Sequence, residues 1–579
     1  MLRRASGRSG AATLALGLFV VLCLGQGAVC AQPQAIAVNQ LGFTPAAAKR
    51  ATVAAGPASR FELLAADSGR VVLAGPLSPA RPWAPAGQAV RVADFSAVRA
   101  PGRYRLRVAG LPDSDPFVIR PGVYAPLSSA ALRALFFNRA SQALSPALAG
   151  PYARAAGHAD TEVLVHPSAA GPRRHAGDRI ASPGGWYDAG DYNKYVVNAA
   201  FATHLLLAAY ERAPARAAGL AVGLPESGDG LPDLLHEALW SLRWLLSMQD
   251  PDDGGVYHKL SNADFDGVIM PAEADRPRWL LQKSTAAALD FAAVMAQASR
   301  VLRDLTPRSP QLPAQLLQAA LAAWDWARAN PRAVYRQPPD IHTGEYGDDR
   351  LDDEFAWAAA ELHLATGDPA YLAEVPLKRT PMSLPSWRDV GGLAWLSLAA
   401  RRERLDPALA ALARRRVLGL ADQLLDKAGQ ASWGVALAAP DFIWGSNGVA
   451  LNQALVLLQA EQLAPERAPR YRAAAQALLD YVLGRNPLGL SQVTGFGSRS
   501  PQHPHHRPSA ADGVIAPVPG FLVGGANAGR EDAQGCTRAY PARPAALAYL
   551  DDYCSYATNE VAINWNAALV YVSLALGED

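Results

Sequence analysis

The sequence predicts a two-part chain: a small β-sandwich, then a much larger all-α unit whose helices pair around a ring. Three observations carry this expectation. Short β-type runs broken by turn residues fill residues 35–120. From about Tyr124 the texture changes to Ala/Leu-rich segments with apolar residues at three- and four-residue intervals. No fixed period repeats among those segments, which favours a closed ring of helix pairs over a solenoid. With 579 residues, half of them hydrophobic, the chain can build two or more cores.

The N-terminus reads as a secretory signal over residues 1–31. Arg3, Arg4 and Arg8 precede an apolar run at 11–24, too short for a membrane span, and Val29-Cys30-Ala31 offers small residues before a cut ahead of Gln32. The formal charge of +2 falls to about −1 once those three arginines leave. A near-neutral chain gives no electrostatic case for nucleic acid or an anionic membrane. No later stretch reaches 18 uninterrupted apolar residues, so no membrane association is expected after signal removal, and the expected location is secreted or periplasmic. Of four cysteines, Cys536 and Cys554 remain; they could pair in an oxidising compartment or stay as two buried thiols.

In the sandwich, residues 32–121, strands are expected at 51–54, 61–64, 71–73, 90–92 and 104–108, punctuated by Asp67-Ser68-Gly69 and Pro101-Gly102. In the helical unit, residues 122–579, helices are expected at 197–212, 231–249, 285–302, 313–329, 353–366, 391–402, 407–426, 447–462, 470–483 and 561–576. The loops between them are long and rich in Gly, Pro, Asp, Trp and His, where function usually sits on a helical scaffold.

Three loops could do chemistry. The first is Gly184-Gly185-Trp186-Tyr187-Asp188-Ala189-Gly190-Asp191, two carboxylates three apart among glycines, just before a helix. A helix N-terminus favours the ionised acid, which suits a general base, although helix capping is the plainer reading. The second is Tyr549-Leu550-Asp551-Asp552-Tyr553-Cys554-Ser555-Tyr556, with Glu560 following before the last helix. A general acid must hold a proton, so Glu560 needs Asp551, Asp552 or apolar cover to raise its pKa against the helix dipole. The third is Val493-Thr494-Gly495-Phe496-Gly497, then His503-Pro504-His505-His506-Arg507. It lacks helical metal-ligand spacing, and its imidazole and guanidinium donors suit a hydroxyl-rich ligand. Among the thirteen tryptophans, Trp186 and Trp444 lie in Gly-rich contexts and are the candidate sugar-stacking rings.

Taken together and in their order along the chain, these loops resemble glycoside hydrolase family 9, the family of many inverting cellulases. Val38-Asn39-Gln40-Leu41-Gly42-Phe43 also resembles the start of the immunoglobulin-like domain of one branch. The resemblance implies an (α/α)6 toroid behind the sandwich. It makes Asp191 the general base, Asp188 a partner holding the water, Glu560 the proton donor, and Asp551 and His505 site residues. Arg507, Trp186, Tyr556 and Trp444 are the expected substrate contacts. Thr343-Gly344-Glu345-Tyr346-Gly347-Asp348, with Asp353-Glu354, is similar to a calcium loop of relatives, so Gly344, Asp348, Asp353 and Glu354 are candidate ligands of a structural calcium. The cysteines of the zinc site found in many relatives are missing, so no structural zinc is expected, and no cofactor is needed for the chemistry.

The implied reaction is single-displacement hydrolysis of a β-1,4-glucan by a monomer, with carboxyl groups roughly 6.5–9.5 Å apart to leave room for the attacking water. No carbohydrate-binding module follows the helices, which favours soluble or short chains over crystalline cellulose. Two alternatives stand: an exo-acting enzyme on short cello- or chitosan-oligosaccharides, and a non-catalytic glucan-binding protein.

Overall fold

The structure, a computed structural model, describes residues 34–303, 305, 310–541 and 543–577. The expected signal segment lies outside them. Among the described residues no helix is long and apolar enough to cross a membrane.

All five expected strands form. One sheet orders Ile36–Ala37, Arg50–Ala54, Gln88–Asp94 and Arg81–Trp83, antiparallel throughout. The other orders Gly42–Phe43, Phe117–Ile119, Gly102–Val108, Arg60–Ala65 and Val71–Pro76, with its first pair parallel. Period-two alternation sets which side chains enter the core: Tyr104, Leu106 and Val108 are buried while Arg103, Arg105 and Arg107 face outward. Phe43 packs edge-on against Phe95 and Phe117 at 5.5 and 5.6 Å between them.

In the larger unit, six helices form a ring in which each packs on the next and the last on the first: Val196–Arg212, Thr285–Leu302, Asp352–Thr366, Gly391–Ala400, Ser446–Leu463 and Ile563–Leu576. Asp233–Ser247, Leu312–Ala329, Pro407–Gln430, Ala468–Val482 and Ala125–Phe137 pack outside them. The inner helices are Ala-rich and buried almost all round. An outer helix such as Leu312–Ala329 buries Pro313 and the stripe Leu316, Ala319, Ala320, Ala323, Trp324 and Ala327.

Two expectations need correction. The larger unit is not all helical, because five short strands form a sheet: Arg179–Ile180, Val163–Val165, Trp279–Leu280, Lys259–Ser261 and Lys194–Tyr195. Strands of two or three residues are too short for alternation to show in a sequence. The last helix begins at Ile563, so Glu560 stands outside its first turn, in extended backbone with φ −69° and ψ 154°.

The sandwich is fixed to the helices through buried polar contacts. The Gln40 amide donates to the Leu483 carbonyl at 2.9 Å, and Asn39 Nδ2 donates to Asp480 Oδ1 at 2.9 Å. Arg81 Nη2 reaches the Gln430 carbonyl at 2.7 Å, and Trp83 lies 5.9 Å from Trp433.

Candidate active site

The base loop is shaped by its glycines. Gly185 has φ +74°, and a Cβ there would stand 2.7 Å from the Trp244 ring. Gly190 meets the histidine loop so closely that a Cβ would lie 2.1 Å from the His505 carbonyl oxygen. Arg507 clasps this junction: its Nη1 donates to the Gly190 carbonyl at 2.8 Å and its Nε to the Asp266 carbonyl at 2.9 Å.

Both aspartates of the loop are buried. Asp188 accepts from Asn198 Nδ2 at 2.8 Å on one oxygen and from the Tyr346 hydroxyl at 2.6 Å on the other. Asp191 accepts from Asn193 Nδ2. The Gly190 amide, next to Asp191, points at Glu560 Oε1 3.4 Å away, so the first and last of the chemistry-bearing loops meet here.

Backbone pairing holds Glu560. Its carbonyl accepts from the Gly524 amide at 2.8 Å, and its neighbour Asn559 accepts from the His505 amide at 2.8 Å. His505 Nδ1 donates to the Tyr553 carbonyl at 2.6 Å, and its ring stacks on Tyr553 at 4.6 Å. Burial lowers the His505 pKa to about 4, so the ring is neutral and Nε2 is left as an acceptor.

The electrostatics separate the three acids. Burial raises Asp191, but the Arg507 guanidinium and the Asn193 amide oppose that rise. Burial, then the Asp191 charge, pushes Asp188 up to about 7, against hydrogen bonds from Tyr346 and Asn198. Burial raises Glu560 well above the usual carboxyl range, and Asp191 and Asp188 add to the rise. The proton-holding influence on Glu560 therefore comes first from burial, the apolar-cover alternative, and then from the two aspartates, not from Asp551 or Asp552. The helix-dipole expectation also fails: a strand, Lys194–Tyr195, separates Asp191 from the helix that begins at Val196, and Asp191 is raised instead of lowered.

Asp551 and the aromatic candidates divide between several tasks. Asp551 takes the backbone amides of Gln502 and His503 at 2.8 and 2.9 Å and Asn559 Nδ2 at 3.0 Å, which clamps the loop leading to His505. Trp444 is exposed and packs on Tyr556 at 5.1 Å, and Tyr556 lies 6.0 Å from His505, so these rings form a wall beside the acids. Trp186 is a correction: it is buried, with its indole N–H donating to Glu237 Oε2 at 2.9 Å. The turn at Gly184 and Gly185 sends that ring into the core instead of the cleft.

Sequence reasoning missed Tyr346, which joins Asp188 to an aromatic group with Tyr195 at 4.5 Å and Trp387 at 4.7 Å. Tyr346 has φ +52°, a conformation an L-residue adopts at a cost when its surroundings demand it. From the sequence its segment stands out only for its similarity to a calcium loop. Cys536 and Cys554, left open from the sequence, form a disulfide across a sequence separation of 18, in the stretch of chain that precedes Glu560.

The candidate metal ligands separate as well. The Gly344 carbonyl accepts from Lys259 Nζ at 2.7 Å, so it faces an ammonium group and leaves the set. Asp348, Asp353 and Glu354 are buried, and Asp348 Oδ2 and Glu354 Oε2 have no hydrogen-bond partner. Asp290, also buried, raises the Glu354 pKa beyond the effect of burial. Unpartnered buried carboxylate oxygens are what a hard cation satisfies. Among the described residues no three His, Cys, Asp or Glu side chains converge to hold an ion by themselves, so carbonyls or water must complete any shell.

Comparison with known proteins agrees with this geometry. Residues 124–573 match glycosyl hydrolase family 9, and residues 31–113 match the cellulase N-terminal ig-like domain. The chain is 41% identical to a xyloglucan-specific endo-beta-1,4-glucanase of Bacteroides ovatus, over 94% of this chain and 93% of that protein. It is 33% identical to endoglucanase D of Acetivibrio thermocellus, over 93% and 82% of the two chains. A single-mutant thermostable endoglucanase from Alicyclobacillus acidocaldarius superposes with a TM-score of 0.86 at 37% identity, over 94% of this chain and all of that one. With both parts matched, this chain belongs to glycosyl hydrolase family 9 and is a glycoside hydrolase of the cellulase type.

Proposed function

We propose that the chain is an inverting endo-hydrolase of β-1,4-linked glucan, working as a secreted or periplasmic monomer, its helices forming an (α/α)6 toroid. Asp191 takes a proton from a water, which Asp188 helps to hold. Glu560 gives its proton to the departing glycosidic oxygen. His505 accepts a sugar hydroxyl at Nε2, Arg507 keeps the base loop in place, and Trp444 with Tyr556 offers a ring to a sugar face.

The observation that carries the reading is the meeting of Gly190 and Glu560, 370 residues apart, which puts a strongly raised carboxyl beside a carboxylate that Arg507 keeps lower. This is the pairing of proton-holding and proton-taking groups that single displacement needs. We propose also a structural calcium held by the unpartnered oxygens of Asp348 and Glu354, with carbonyls or water completing its shell.

The test is hydrolysis of cellohexaose, soluble β-glucan, xyloglucan and chitosan oligosaccharides by the wild-type chain and by Asp191→Ala and Glu560→Gln. Xyloglucan belongs in the panel because the Bacteroides relative is named for it. The expected result is cleavage of a β-1,4-glucan backbone by the wild type alone. Activity confined to chitosan oligosaccharides, or near-normal turnover in either variant, would overturn the reading.

A further inference from the structure

The segment that carries Asp266 is fastened to the base loop from several sides. The Asn262 amide donates to Asn193 Oδ1 at 3.0 Å, on the residue whose Nδ2 serves Asp191. Arg278 Nη1 bridges the Tyr192 carbonyl at 2.7 Å and Asn262 Oδ1 at 2.9 Å. The Tyr192 hydroxyl donates to the Ile269 carbonyl at 2.6 Å, and Arg507 Nε to the Asp266 carbonyl. Residues 262–269 are thus hydrogen-bonded to the base loop and its neighbours at several points.

This anchored segment leaves two of its apolar side chains in solvent. Phe265 is 44% exposed and Val268 is 48% exposed. The Arg507 guanidinium lies 5.7 Å from the Phe265 ring centroid. A large ring held open by a backbone with this many anchors gains nothing for the fold, because apolar surface left in water is unfavourable. It gains something if a ligand covers it. The position fits, since Arg507 joins Phe265 to Gly190, whose neighbour is Asp191. Trp444 and Tyr556 form a separate aromatic pair reached through His505. The β-1,4-linked sugar carries its hydroxyls equatorially, so each ring offers a flat face of C–H groups, the complement of an exposed aromatic ring.

We propose that Phe265, with Val268 beside it, is a sugar-stacking platform on the Asp191 flank. It binds a unit of the glucan chain beyond the bond being cut and so sets how strongly longer chains are preferred. This rests on the hydrolase reading above.

The experiment compares wild type, Phe265→Ala, Phe265→Tyr and Ile515→Ala on cellotriose through cellohexaose. Ile515 is a control, 99% exposed and part of no group described above. Phe265→Ala should lose about tenfold in kcat/KM on the longest substrate, mostly through KM, with a loss that shrinks as the chain shortens. Phe265→Tyr should stay within about threefold of wild type, because it keeps the ring. An equal loss on every length, a loss confined to kcat, or no loss overturns the platform. If the wild type leaves all the cello-oligosaccharides intact, the platform, which needs an unbranched glucan chain, falls; if it leaves xyloglucan intact as well, the β-1,4-glucan reading falls with it.

Discussion

Tyr346 donates its hydroxyl hydrogen to Asp188 at 2.6 Å from a backbone turned to φ +52°. The bond joins the loop between the outer helix Leu312–Ala329 and the ring helix Asp352–Thr366 to the carboxyl proposed to hold the attacking water. Removing it with Tyr346→Phe leaves the ring stack on Tyr195 and Trp387 in place. Hydrogen bonds to charged groups contribute about 1.5–3 kcal/mol, so kcat should fall at least about tenfold while KM changes little. Steady-state kinetics with a thermal melt checks this, and an equal fall in Tm and activity would point to a structural role alone.

The electrostatics predict the pH profile. Asp191 must be ionised and its pKa is raised, so the acid limb of kcat/KM should lie above the ordinary aspartate value of 3.8. Glu560 must be protonated and is raised further, so the alkaline limb follows its deprotonation. Arg507→Met removes the charge that opposes the rise at Asp191. Its acid limb should therefore move upward. A limb that moves downward or stays fixed contradicts the assignment.

Much of this site was legible in the sequence, and the exceptions have physical reasons. Asp188, Asp191, His505 and Glu560 stood out because acids and histidines clustered among glycines and aromatics in one chain order. Tyr346 was hidden because its partner lies 158 residues away and only the fold brings them together. Trp186 was misread because glycines beside a ring look alike whether they open a cleft or turn the ring inward. Glu560 was placed too near a helix because Val561 continues the apolar pattern, yet Val561 bridges to Val523 in extended pairing. The helices themselves were readable because each buried stripe repeats over several turns, while the small sheet offers only two or three residues per strand.

The Cys536–Cys554 disulfide closes a loop of 18 residues beside Tyr553, whose carbonyl orients His505. Chain-entropy reasoning gives such a cross-link about 3 kcal/mol of stability. The double variant Cys536→Ser/Cys554→Ser should melt several degrees lower and show a raised KM, read by calorimetry and kinetics. Unchanged values on both would detach the disulfide from the site.

Calcium should stabilise the chain. Unpartnered oxygens on Asp348 and Glu354 predict that chelator lowers Tm and that added calcium restores it. In Glu354→Gln both responses should be lost or strongly reduced. A wild-type Tm indifferent to chelator and to calcium would leave these acids paired through shared protons instead.

The most direct test of the central claim is the stereochemistry of a single cleavage. Proton NMR of cellohexaose hydrolysis, recorded in the first minutes before mutarotation, reports the configuration of the new reducing end. Displacement by water from the Asp191 face, with Glu560 protonating the leaving oxygen, predicts the α-anomer first. The β-anomer as initial product would mean a covalent intermediate and would contradict the roles given to both residues.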